Sequence, residues 1–76
     1  MDATLQTKIE ELACETASVF VEEFGEPLDS EKTDWDDKAW REDARSLNLT
    51  DAQKDEGWPI YRAALVAETQ RLCGAA

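Results

Sequence analysis

Between Ala3 and Phe24 the apolar residues Leu5, Ile9, Leu12, Ala13, Val19, Phe20 and Phe24 fall largely at spacings of three and four, and so share one broad face of a helix. Gly25 closes the pattern with the residue that best tolerates a left-handed helix end, and Pro27 bars its continuation two residues later. In a chain of 76 residues such a helix must bury its stripe against the remaining elements. Those elements are helical as well, because bulky β-branched residues are few and never alternate over a useful length.

Residues 25–32 read as a loop. Thr33 with Asp36 three residues on resembles a capping box with a shortened acid, opening a helix over about 34–46. Its apolar stripe is thin: Trp40, Ala44 and Leu47, with Trp35 and Ala39 beside it. Thr50 with Gln53 forms a second capping box, predicting a short helical turn that ends near Gly57. Trp58-Pro59 then restarts the chain, since proline suits the first turn of a helix and not its interior. The last helix runs from about Pro59 to Cys73, with Tyr61, Leu65 and Leu72 on one face and Ile60, Ala64 and Ala67 adjoining. The expected fold is all-α: a small three-helix bundle with an extra short helical turn before the last helix, forming a single acidic domain over residues 1–76.

Composition bounds function. Eighteen acidic residues stand against eight basic ones with no histidine, a formal charge of -10. Direct binding of nucleic acid is not expected, because phosphate contacts need lysine and arginine. The missing histidine removes the usual general base and the commonest metal ligand. An EF-hand begun at Asp29 would place Asp34 where glycine is needed and Trp40 where glutamate is needed. Zinc lacks ligands, and the three glycines are isolated, so no phosphate-cradling loop exists. Acidic clustering leaves at most weak surface binding of a divalent cation by Asp34, Asp36 and Asp37. The reading is therefore a binding protein and not an enzyme, with no catalytic residues, no metal site and no cofactor. No apolar run approaches the roughly 18 residues of a membrane span, and the N-terminus lacks a signal peptide's basic region. Cys14 and Cys73 would not lie level in an antiparallel pairing of their helices and read as reduced thiols, which together with the missing leader predicts a cytoplasmic protein.

The charge is unevenly spread. Residues 1–29 hold eight acids against Lys8, and residues 30–56 hold nine acids against five cations. Residues 57–76 hold Glu68 against Arg62 and Arg71, so the final helix is the neutral one. At 100° per residue, Glu11, Glu15 and Glu22 fall within a wedge of about 40°, opposite the apolar centre of the first helix. Glu11 and Glu15 lie about 6 Å apart along the axis, and Glu15 and Glu22 about 10.5 Å. The first spacing resembles the phosphate-to-phosphate step on a nucleic-acid strand. Asp34, Asp36 and Asp37 have a structural reason for their places, because a helix N-terminus favours anions. For Glu11, Glu15, Glu22 and Glu23 no such reason applies. Trp35, set among the aspartates, is either an interface anchor or packs onto the loop at Leu28.

The run Trp58-Pro59-Ile60-Tyr61-Arg62-Ala63-Ala64-Leu65 resembles a W-x-x-Y-R-x-A-L run of some phage tail-associated proteins. In overall type (short, strongly acidic, helical, without a catalytic set) the chain is similar to phage-encoded inhibitors such as anti-CRISPR and anti-restriction DNA mimics. That likeness implies an inhibitor that occupies a basic, nucleic-acid-binding surface of a larger protein complex, and it carries over no individual residues. On the reading of the charge, the partner-binding residues are Glu11, Glu15, Glu22, Glu23, Asp34, Trp35, Asp36 and Asp37. The competing reading is a small structural or adaptor subunit that associates, as a homodimer or with a partner, through its neutral C-terminal helix at Leu65, Val66 and Leu72.

Overall fold

The computed structural model describes residues 2–29 and 33–74. Three helices follow one another: α1 (Ala3–Phe24), α2 (Thr33–Ser46) and α3 (Asp51–Leu72). The bundle is all-helical, as the periodicity predicts. Among the described residues no helix is long and apolar enough to cross a membrane.

Local chemistry sets the ends. Asp2 caps α1 by accepting from the Thr4 N–H at 2.7 Å, and that backbone bond holds its carboxyl below the usual range. Gly25 takes the left-handed conformation at φ 68° and returns its N–H to the Val21 carbonyl. The capping box at Thr33 falls outside the described residues. After α2, Asn48 turns the chain at φ 54°, a region asparagine tolerates better than most side chains. The Thr50–Gln53 capping box forms with both reciprocal bonds, at 3.2 and 2.9 Å.

One expectation fails here. Residues 51–57 are not a separate turn: α3 is continuous from Asp51 to Leu72 with Pro59 inside it. Pro59 is exposed, so its ring is accommodated, and the backbone bond it cannot donate is a single missing rung. Gly57 is the second reason. It is a buried helix-interior residue and not a stop. A Cβ built there would lie 2.8 Å from Trp40 Cη2 and 3.0 Å from Ile9 Cδ1, so only glycine lets the Trp40 indole rest on the α3 backbone.

Those contacts also set the topology. Ile9 near the start of α1 meets Gly57 near the start of α3, and Leu28 just past α1 donates its N–H to Thr69 Oγ1 near the end of α3. α1 and α3 therefore run parallel, with α2 returning between them. The parallel pairing replaces the antiparallel one assumed for the cysteines, and both thiols are free.

The core is Ile9, Ala13, Ala17, Phe20, Leu28, Trp40, Ala44, Tyr61 and Leu65. On α3 the buried positions Gly57, Tyr61, Leu65 and Thr69 recur every fourth residue, and the small Ala13 and Ala17 of α1 let the two helices approach closely. Thr69 takes the place expected of Leu72, because its hydroxyl donates to the Val66 carbonyl and accepts from Leu28, clamping the loop after α1 onto α3. Leu72 is 38% exposed. Val19 and Phe24 on the α1 stripe also face outward, at 54% and 37%.

Candidate functional site

The sequence-predicted acids divide into two groups. On α1, Glu11, Glu15, Glu22 and Glu23 are all exposed. Because α1 is an uninterrupted helix, Glu11, Glu15 and Glu22 keep their common face. Among the described residues none of the four enters an ion pair. Glu11 and Glu15 join Thr7, Glu10 and Cys14 around a shallow depression of about 390 Å³. Desolvation, aided by Glu68 and the Glu10 and Glu11 carboxylates, pushes the Cys14 thiol up. It therefore carries little thiolate at neutral pH and makes a poor nucleophile.

On α2, Asp36 turns inward and Asp37 is paired, while Asp34 and Glu42 stay at the surface. Asp37 meets Arg41 at 2.8 Å one helical turn on. Asp36, expected as a contact acid, is fully buried, which removes it from any outer contact surface. Residues 36, 40 and 44 form the inner stripe of α2, so the side chain at 36 must enter the bundle whatever its charge. Arg62 Nε of α3 lies 2.9 Å from Asp36 Oδ2. The approach is off the N–H direction, and neither carboxylate oxygen accepts an aligned hydrogen bond among the described residues. Burial raises the Asp36 pKa and outweighs the opposing Arg62 charge.

Asp43, which sequence reasoning passed over, is the best-integrated acid. Its Oδ2 accepts from Tyr61 Oη at 2.9 Å and from Thr16 Oγ1 at 3.1 Å, joining all three helices. Burial and the Asp43 charge push the Tyr61 phenol well above its ordinary range, so it is always the donor. An acid four residues ahead of Leu47 and one ahead of Ala44 carries no pattern that marks it in advance.

Trp35 packs against the core cluster that includes Phe20 and Leu28. Its ring meets Phe20 edge-on at 4.8 Å and Phe24 at 6.1 Å, leaving it half-buried. With the exposed Phe24 it forms an aromatic patch, while the exposed Val19 lies about 140° away around α1. Trp58 is a half-buried residue of α3 packed against the core. It stacks on Tyr61 with centroids 6.4 Å apart and lines a cleft between α2 and α3. On the C-terminal helix Leu65 is fully buried and so unavailable to an external interface, Val66 is half-buried, and Leu72 is exposed. Among the described residues no group of three or more acids or cysteines is placed to hold a metal ion. The chain matches no protein-family model, no curated protein and no solved structure, so the surface is read from its own chemistry.

Proposed function

We propose that this chain is a binding protein whose α1 carboxylates occupy a basic, nucleic-acid-binding surface of a larger protein or complex, standing in for phosphates and inhibiting by competition. An inhibitor of anti-CRISPR or anti-restriction type is the most specific form of the reading. The observation that carries it is the exposure of Glu11, Glu15, Glu22 and Glu23 without an ion pair among the described residues. Like charges one turn apart on a helix cost a few tenths of a kcal/mol per pair, so folding is better served by lysine at half these sites. Asp34 extends the acidic surface. Val19, exposed at 54% and about 40–80° around α1 from Glu11, Glu15 and Glu22, supplies an apolar contact that electrostatics alone lacks.

The mechanism is steering followed by occupancy. Carboxylates attract a basic groove over about a Debye length, roughly 8 Å at physiological salt, and the attraction falls as salt rises. The test is capture from a lysate of the source cell with the immobilised chain, with and without added duplex DNA. Wild type retains a nucleic-acid-binding protein that DNA displaces, and the triple variant Glu11→Lys/Glu15→Lys/Glu22→Lys retains none. Capture that is equal for the triple variant and indifferent to DNA overturns the reading.

A further inference from the structure

The molecule has a second surface of opposite character. Antiparallel packing of α2 on α3 opens a cleft of about 320 Å³ lined by Asp37, Trp40, Arg41, Arg45, Lys54 and Trp58, with Ala44 and Asp55 completing the wall. Three of the eight basic residues of this acid-rich chain converge there. Arg41 commits one nitrogen to Asp37. Arg45 and Lys54, from different helices, enter no ion pair among the described residues although acids outnumber cations across the chain. Arg45 has a structural reason for its place in the last turn of α2, where a helix C-terminus favours a cation, whereas Lys54 in the opening turns of α3 has none.

The floor is aromatic and fixed. Trp40 is held on the Gly57 backbone, and Trp58 is stacked on Tyr61 at an interplanar angle of 24°. Trp40 is 4% exposed and forms only the base, whereas the half-buried Trp58 indole presents a fixed apolar surface that stacks with another ring without losing rotamer freedom. The volume falls at the lower end of the range of small-molecule sites, about 300–1,000 Å³. No residue of α1 lines the cleft, so it is separate from the acidic stripe.

We propose that this cleft binds a small planar aromatic anion, with its ring on the half-buried Trp58 indole and its anionic group between Arg45 and Lys54, where Arg41 adds a third donor. Asp37 and Asp55 leave the wall only slightly cationic, which suits one anionic group on a ring better than a polyanion. A ring-borne carboxylate and a ring-borne phosphate share this chemistry.

Titration of the full chain with 2-naphthoate and with adenosine monophosphate, followed through the three tryptophan indole N–H resonances, tests the proposal. At least one anion saturates with a Kd below about 1 mM, while its uncharged counterpart, 2-naphthalenemethanol or adenosine, binds about ten-fold more weakly. The stronger of the two anions names the source as carboxylate or phosphate. Arg45→Gln/Lys54→Gln, which keeps most of each side chain's packing, weakens binding about ten-fold with the thermal midpoint moved by no more than a few degrees. The Trp58 resonance shifts in wild type and is the one lost in Trp58→Phe. Failure of both anions to saturate, equal binding of the neutral compounds, or an affinity unmoved by the double substitution overturns it.

Discussion

The carboxylates of α1 and those of α2 are the same chemical groups on neighbouring helices, yet they are used in opposite ways. On α2, Asp36 is inside the bundle against Arg62, Asp37 pairs with Arg41, and Asp43 accepts from Tyr61 and Thr16. On α1, Glu11, Glu15, Glu22 and Glu23 face solvent and enter no ion pair among the described residues. The α2 acids are part of what holds three helices together. The α1 acids contribute little to folding, and that contrast is why the contact surface is assigned to α1.

The contrast can be broken most forcefully at Asp43. Replacing it by alanine removes the acceptor of two hydroxyls, and stability in urea falls by about 2–3 kcal/mol, as for other hydrogen bonds to a charged group. A loss below about 0.5 kcal/mol, the level of an ordinary surface substitution, would mean that the α2 acids are as dispensable as those of α1. Next comes Gly57→Ala, which forces the Trp40 ring off α3 and loosens the seam where Asp36 and Asp43 make their contacts. Overpacking of about 1–3 kcal/mol exceeds the roughly 1 kcal/mol that alanine gains in helix propensity, so a calorimetric midpoint several degrees lower is expected.

A third test uses pH. Burial raises the Asp36 pKa in the folded protein, so above the unfolded value of about 3.9 the native state holds a proton that the unfolded chain has released. Its contribution is therefore most favourable at or below that pH and declines as pH rises through the raised value. Wild type should lose stability relative to Asp36→Asn as the pH rises above about 4. A constant difference between the two melting curves would show that the group is not desolvated as described. The smallest effect belongs to α1: Glu11→Gln, Glu15→Gln and Glu22→Gln each shift stability by no more than about 0.5 kcal/mol, in the direction of a gain, because each relieves repulsion.

Much of the fold was legible. Both ends of α1 follow from its periodicity and from Gly25, and the end of α2 and the Thr50–Gln53 cap from equally local signals. What escaped was set by packing. Gly57 and Pro59 carry strong local stop signals, but the Trp40 ring needs a glycine beneath it and Pro59 lies on the exposed side, so tertiary contact carries the helix through both. The division of the acids was only half legible. An acidic helix start has a dipole explanation, which separates Asp34, Asp36 and Asp37 from the α1 acids. Which aspartate enters the core depends on the rotation of α2 and on Arg62, a residue of another helix. The cationic cleft was hidden for the same reason, since Arg45 and Lys54 meet only when α2 folds back along α3.

The central claim is that the α1 carboxylates act on something outside the molecule, and the salt dependence of Kd for the captured partner tests it most directly. Between about 50 and 200 mM salt, log Kd for the wild-type chain should rise steeply with log salt, and the Glu11→Gln/Glu15→Gln/Glu22→Gln variant should bind at least ten-fold more weakly with a markedly shallower slope. Identical affinities and slopes for the two proteins would contradict the account and return the acidic face of α1 to the role of keeping the chain in solution.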